Sequence, residues 1–370
     1  AYLSADYRNH ATANLMAGVF EEHDRERFEV SAISYGPDDR SEMRNRLQAA
    51  FERFEDVRDL ADEDVVKLIR QLDIDVLVDL GGFTTGARPK ILACRAAPLQ
   101  VSYLGFPGTM GASYIDYVIA DRIVIPEAEQ KYYAEKVVYL PDSYQATDAR
   151  RPLLPNGPTR SEVGLPEDAF VYCAFNRASK ITPVLFDVWM RLLTRTAGSV
   201  LWLLDGDPTA RENLRREAVA RGVAAERIVF APPVPAYEHL ARHRLADLFL
   251  DTLPYNAHTT ASDALWAGLP VLTCLGTAFA GRVAASLLNA VGLPELVTRS
   301  LDEYEVLALR IAHDAELRTA LKSKLAAHRA SWPLFDTVGM TRHIESAFNE
   351  MWRRHCAGEA PASFAVQISS

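Results

Sequence analysis

The chain has 370 residues, of which 49% are hydrophobic and 24% charged, and a formal net charge of −9. That balance fits a folded globular protein of two ordinary domains and excludes a disordered chain. An acidic chain lacks the positive face a dedicated nucleic-acid binder needs, so no nucleic-acid partner is expected, and no apolar run reaches the roughly eighteen residues of a membrane span.

Four cysteines, Cys94, Cys173, Cys274 and Cys356, lie far apart and form no CxxC pair. Three fall in apolar segments and read as core residues of a reducing, cytoplasmic compartment. The opening Ala1-Tyr2-Leu3-Ser4 reads as the interior of a first strand, so the chain is expected to be a piece of something longer.

Tyr2 to Ser4 is a predicted strand, followed by a polar loop and a helix from about His10 to Glu22. His10 therefore falls just past the end of the first strand, where ligands bind in open α/β sheets. A histidine there, near a helix N-terminus, favours the neutral imidazole, although a solvent-exposed cap explains the same pattern. Phe28 to Tyr35 alternates as a strand, Glu42 to Phe51 and Asp62 to Leu72 carry helical periodicity, and Asp75 to Leu80 is an apolar strand running into Gly81-Gly82. Leu99 to Leu104 leads into a second loop, Gly105-Phe106-Pro107-Gly108, and Tyr117 to Ala120 and Val137 to Leu140 complete the first half.

From Ala146 to Pro166 the pattern lapses into Pro, Arg, Asn and Gly, which marks a linker. Alternation then restarts with the strand Ala169 to Phe175, the loop Asn176-Arg177-Ala178-Ser179-Lys180 and a helix over Thr182 to Arg195. Strands at Ser199 to Leu204 and Arg227 to Phe230 flank a helix at Thr209 to Arg221. The short helix Tyr237 to Arg244 places His239 and Arg242 on one face. Leu248 to Thr273 reads as strand, Pro/Asn/His/Thr loop, Ala-rich helix and second strand. Helices follow over Ala280 to Val291, Asp302 to Ala327 and Phe335 to Arg354. Strands alternating with helices, twice over, imply two Rossmann-like doubly wound parallel sheets. The expected division is 1–150, 151–335, a terminal helix 336–356 and a flexible tail 357–370.

Thr259, Thr260 and Ser262 stand where the helix of the Leu248 to Thr273 stretch begins. Unpaired N–H groups of a first turn attract phosphate, and Asp263 just beyond could reach a sugar hydroxyl, so the combination with Asn256 and His258 reads as a nucleotide site. A capped helix with a polar loop is the plainer alternative. Lys180, in a strand-end loop on the same side of the second sheet, would neutralise a diphosphate leaving group, although one lysine alone reads more simply as a solvated surface residue. Asp205-Gly206-Asp207 looks like a DxD metal motif but suits a turn better, and no His/Cys/Asp cluster has metal-ligand spacing, so no metal and no cofactor is expected.

The segments DTLPYNAHTTASDALWAGLPVLT, VYCAFNRASKITP, SVLWLL, AASLLNAVG, GFPGTMGASYIDYVIAD and GGFTTGARPKILACRAAPLQ closely resemble the catalytic region of O-GlcNAc transferases, glycosyltransferase family 41. The resemblance covers nearly the whole chain. It implies a GT-B fold with an interdomain cleft and an inverting, metal-independent transfer from a UDP-sugar, usually UDP-GlcNAc, to Ser or Thr hydroxyls of a protein or peptide acceptor. By position it implies that Lys180, Thr259 and Thr260 hold the diphosphate, that His258 lies at the donor sugar and phosphate, that Asp263 binds the ribose, and that His239 and Arg242 flank the uracil and ribose. Asn176 and Arg177 match a loop near the phosphates, Gly105 to Pro107 a loop lining the sugar pocket, and His10 the histidine discussed as catalytic base. The animal enzymes carry glutamine at Arg177, a cysteine at Tyr255 beside the sugar pocket, and a second histidine at about Arg53. The long insertion of the animal enzymes is missing, as in bacterial members, and family members carry an N-terminal tetratricopeptide segment before this region. Rival readings are a relative with another donor, such as GDP-fucose, and a sugar-nucleotide-binding protein without catalysis.

Overall fold

A computed structural model describes residues 1–154 and 157–367; Pro155 and Asn156, in the expected linker, lie outside the described residues. The chain divides into one unit formed by Ala1–Arg150 with the segment from Pro333 onward, and a second unit formed by Arg151–Trp332.

The first unit holds β1 (Tyr2–Ser4), β2 (Ser31–Ser34), β3 (Arg53–Asp56), β4 (Val76–Asp79), β5 (Leu99–Ser102), β6 (Tyr117–Ala120) and β7 (Lys136–Tyr139). They pair in parallel in the order β7-β6-β5-β4-β1-β2-β3. The second unit holds β8 (Val171–Ala174), β9 (Val200–Leu204), β10 (Ile228–Ala231), β11 (Leu248–Leu250), β12 (Val271–Cys274) and β13 (Val297–Thr298). These are also parallel, in the order β10-β9-β8-β11-β12-β13. Parallel strands joined by helical crossovers are covered on both faces, which is why β8 and β12 are buried along their whole length and Trp202 of β9 is fully enclosed.

Several expectations change. The single helix expected over Asp302 to Ala327 is two, Leu301–His313 and Ala315–His328, because Asp314 leaves helical geometry and its carboxylate accepts from the Leu317 N–H at 2.9 Å, capping the second. Cys173 and Cys274 are buried, but Cys94, expected in the core, is exposed where the short helix Pro89–Ala93 ends. The expected tail is also partly ordered: Phe364–Ala365 forms β14, parallel to β7, and the Val366 N–H donates to the Tyr139 carbonyl at 2.9 Å. Residues 368–370 lie outside the described residues.

The terminal helix, Thr337–Cys356, packs back on the first unit beside the helix Ala11–Glu22. Gly18 permits the close approach, since a Cβ there would lie 2.8 Å from Thr337 Cγ2. Ile344, Ala347, Phe348 and Met351 supply its buried face. A polar pin sets the register: Tyr2 Oη donates to His23 Nε2 at 2.8 Å, and His23 Nδ1 donates to Glu345 Oε1 at 3.1 Å. Glu345 also accepts from the Asp24 N–H at 2.7 Å and from Arg342 at 2.6 Å. Burial alone would raise the Glu345 pKa, but these donors outweigh it and hold it at about 2.

Removing the carboxylate leaves His23 and the Asp24 amide without their partner. Glu345→Ala is therefore expected to destabilise the first unit by about 1–3 kcal/mol, read as a lower urea midpoint, with Glu345→Gln losing less. Because the carboxyl pKa is depressed in the folded state, its contribution is complete above the unfolded value and disappears as pH falls towards about 2.

Candidate active site

Ligand sites in open α/β sheets lie beyond the C-terminal ends of the strands, where the strand order reverses. In the first unit that point falls between β4 and β1, and in the second between β8 and β11. The loops that follow these four strands carry most of the residues singled out from sequence.

In the second unit, β8 feeds the loop Asn176–Lys180, and β11 feeds the loop Asp251–His258 ahead of the helix Thr259–Trp266. The two loops are joined by direct bonds. Asn176 is buried, its Nδ2 donating to Thr252 Oγ1 at 3.0 Å and its Oδ1 accepting from Thr260 Oγ1 at 2.7 Å. Lys180 Nζ donates to the Asn256 carbonyl at 2.7 Å and lies 4.2 Å from the centre of the Tyr255 ring. Tyr255 in turn stacks on His258, with ring centres 4.8 Å apart and planes at 21°. Thus Asn176, Lys180, Tyr255, His258 and Thr260 form one cluster, as their sequence positions suggested.

The helix start itself is open. His258 at the N-cap makes no side-chain cap, and among the described residues the N–H groups of Thr259 and Thr260 have no hydrogen-bond partner. Two donors and the positive end of the helix dipole therefore face the β8 loop. Burial lowers the Lys180 pKa to about 8, with Asp251 opposing the shift and Arg177 adding to it. Asp251, the first residue after β11, was not singled out from sequence. Its carboxylate is buried, accepts from the Thr252 and Ala257 N–H groups at 2.7 and 2.5 Å and from Thr273 Oγ1 at 2.6 Å, and burial pushes its pKa up to about 7. A polar residue directly after an apolar strand is the signal that would have found it.

The histidine tautomers follow from their partners. A carbonyl only accepts, so the bond of 3.1 Å between His258 Nε2 and the Ala280 carbonyl makes Nε2 the protonated nitrogen and Nδ1 an acceptor. Burial and nearby Lys180 lower the His258 pKa to about 3, so the ring is neutral. A guanidinium only donates, so Arg242 Nη2 at 2.5 Å from His239 Nδ1 leaves the His239 proton on Nε2. Burial, His243 and Arg242 lower the His239 pKa to about 2.

His239 and Arg242, on the helix Ala236–Arg242, form a second cluster around Phe175, the residue before Asn176. The His239 ring centre lies 5.1 Å and the Arg242 guanidinium 4.8 Å from the centre of Phe175. His243, which sequence reading passed over, is fully buried behind them, and its Nδ1 donates to the His239 carbonyl at 2.7 Å. Asp263 holds an ion pair with the buried Arg151. Arg177 is exposed and lines a cavity of about 590 Å³ with Asn176, Leu203 and Phe230. Asp207 of the Asp205-Gly206-Asp207 turn caps the helix Pro208–Ala220 by accepting from the Thr209 N–H at 2.9 Å, and Asp205 pairs with Arg211 at 3.1 Å. Among the described residues no group of three or more His, Cys, Asp or Glu could hold a metal ion.

In the first unit, His10 caps the helix Ala11–Glu22, with Nδ1 accepting from the Thr12 N–H at 3.3 Å. Asp6 Oδ2 lies 3.4 Å from the same nitrogen. The two arrangements exclude each other: the cap needs a lone pair on Nδ1 and leaves the proton on Nε2, whereas a bond to Asp6 needs Nδ1–H and turns Nε2 into a base. The loop is held by Arg44, a buried guanidinium that donates to the Tyr7 carbonyl at 3.0 Å, Ser34 Oγ at 2.8 Å and Asp56 Oδ2 at 2.9 Å. Gly105 and Pro107 follow β5, and a Cβ on Gly105 would lie 2.0 Å from the Leu80 carbonyl, so only glycine lets the two strand-end loops meet. Arg53, by contrast, opens β3 at the opposite edge of the sheet, exposed and paired with Glu29 at 2.8 Å.

The chain is similar to known proteins. A probable UDP-N-acetylglucosamine–peptide N-acetylglucosaminyltransferase of Arabidopsis thaliana, SEC, is 40% identical over 99% of this chain and 38% of its own length. The chain thus spans about two fifths of that curated relative. A mutant O-GlcNAc transferase of Thermobaculum terrenum superposes with a TM-score of 0.89 at 33% identity, covering 96% of this chain and 68% of the other. The Anabaena protein HepE, solved with UDP and glucose, shares the fold at a TM-score of 0.60 and 14% identity, over 94% of this chain and 98% of its own. Two Rossmann-like parallel sheets and these neighbours define a GT-B fold. Residues 1–156 and 155–344 match the model of glycosyl transferase family 41, and the chain belongs to that family.

Proposed function

We propose that this chain is the catalytic part of a protein O-glycosyltransferase that moves N-acetylglucosamine from UDP-GlcNAc to a Ser or Thr hydroxyl with inversion and without a metal ion. The observation that carries the reading is that Lys180 is bonded to the loop leading into the Thr259–Trp266 helix, whose first turn is open, at the switch point of the second sheet. Family membership and the activity in the name of the Arabidopsis relative point the same way.

In this reading the acceptor oxygen attacks C1 of the sugar while the bond from C1 to the phosphate oxygen breaks, and the electron pair leaves on UDP. Lys180 and the Thr259 and Thr260 N–H groups take up that charge, as oriented donors in a desolvated site do. His258 neither caps the helix nor carries a charge: Nδ1 of its neutral ring accepts from a sugar hydroxyl. His239 presents Nε2–H to the base, and Arg242 fixes that ring. Asp263 reaches the ribose once Arg151 yields it. Asn176 and Arg177 flank the phosphates, Gly105, Pro107 and Tyr255 border the sugar, and His10 receives or steers the acceptor proton. A tetratricopeptide segment and a cytoplasmic setting belong to the same proposal.

Replacing Lys180 by Ala is expected to slow transfer to a Ser/Thr peptide by about 10²–10³-fold, with the melting temperature kept within a few degrees because the side chain is half-buried. Turnover at the wild-type rate with UDP-GlcNAc would overturn the assignment. Replacing His10 by Ala is expected to lower kcat by about 10²-fold or more while UDP affinity stays within about twofold, measured by steady-state kinetics and calorimetry.

The pH dependence of nucleotide binding follows from Lys180. Its pKa is about 8 in the unliganded protein, and a bound diphosphate raises it, so full affinity is present below pH 8 and is lost above it. Titration calorimetry with UDP is expected to show Kd rising by up to about tenfold per pH unit above that point, whereas a flat profile to pH 9.5 would refute the role.

A further inference from the structure

Lys180 carries its charge in a setting that works against it. Burial disfavours the ammonium, and Arg177 opposes it further; only Asp251, on the other side, favours it. His258, the remaining titratable neighbour from the β11 loop, is neutral and gives no countercharge. Among the described residues Nζ has one direct hydrogen-bond acceptor, the Asn256 carbonyl at 2.7 Å. The remaining contact is the face of Tyr255, 4.2 Å from Nζ to the ring centre, well inside the range in which the ring quadrupole attracts a cation.

Tyr255 is 39% exposed, and among the described residues its hydroxyl has no hydrogen-bond partner. What fixes the ring is its stack on His258, with centres 4.8 Å apart at 21°, and His258 is itself anchored by Nε2–H to the Ala280 carbonyl. A chain of contacts thus runs from a backbone carbonyl through two rings to the lysine.

We propose that Tyr255 is a positioning residue for Lys180: its ring face keeps the ammonium charged and beside the start of the Thr259–Trp266 helix, where both address one diphosphate. This rests on the reading of Lys180 as the diphosphate ligand. The hydroxyl plays no part, so the ring and not the phenol is the working group. Phenylalanine preserves the ring face, and leucine preserves the apolar cover without the quadrupole, so the pair separates cation attraction from desolvation.

The test is calorimetric titration of the whole chain with UDP from pH 6.5 to 9.5, for wild type, Tyr255→Phe, Tyr255→Leu and Lys180→Met, with thermal melts of each. Tyr255→Phe is expected to bind within about twofold of wild type at every pH. Tyr255→Leu is expected to bind roughly threefold to thirtyfold more weakly, and its affinity is expected to begin falling at a lower pH, because the ammonium gives up its proton more readily. Equal affinity and an equal pH profile for the Phe and Leu variants, with Lys180→Met impaired, would overturn the role of Tyr255 alone. UDP binding by Lys180→Met as tight as wild type would overturn the diphosphate assignment and this proposal together. A drop in affinity for Tyr255→Leu that is the same at all pH values would mark a packing effect and would also overturn it.

Discussion

A half-buried ammonium next to an uncapped helix is the constraint on which the second unit turns. Taking Lys180 out of water weakens its hold on a proton, and leaving the Thr259 and Thr260 amides without partners leaves donors unsatisfied. In the proposed reading both costs would be offset on diphosphate binding, because the same phosphate oxygens would satisfy the amides and favour the charged ammonium. The rest of the local structure supports that arrangement. Asp251 braces the turn with three accepted bonds, and Asn176 ties the β8 loop to the helix through Thr252 and Thr260. The site is rigid in its protein-to-protein bonds and open where a diphosphate would sit.

The imidazoles show how a fold sets proton positions without titrating them. His258 faces a carbonyl and His239 faces a guanidinium, so each has its tautomer decided by a partner that can play only one role. His10 differs, because its Nδ1 lies between an amide that gives a proton and a carboxylate that takes one. Two of the three rings are therefore fixed, and the one assigned to proton handling has two states within reach.

Much of the architecture was legible because parallel strands buried on both faces leave unbroken apolar runs, and the loops at their C-terminal ends are short and rich in Gly, Asn, Thr and His. Lys180, Thr260 and His258 could be placed on the same side of the second sheet because each follows the C-terminal end of a parallel strand, and the structure adds that β8 and β11 are neighbours. Other features depend on contacts distant in sequence. Nothing near Asp263 announces Arg151, 112 residues earlier, and nothing near His23 announces Glu345, 322 residues later. His243 reads as one more polar residue in a short helix until its burial behind His239 is seen. The division of the Leu301 to His328 region at Asp314 and the two-residue β14 are too local for periodicity to register.

Arg44 ties the carbonyl of Tyr7 to the ends of β2 and β3, and β3 is the outermost strand of its sheet. Border strands open more readily than central ones, having a neighbour on one side only. The turn that presents His10 is thereby fastened to the least protected margin of the first sheet, whereas the loops of Lys180 and His258 grow from the middle of the second. Durability is distributed unequally: in the proposed reading, proton handling would rest on the periphery of one half and phosphate recognition on the interior of the other.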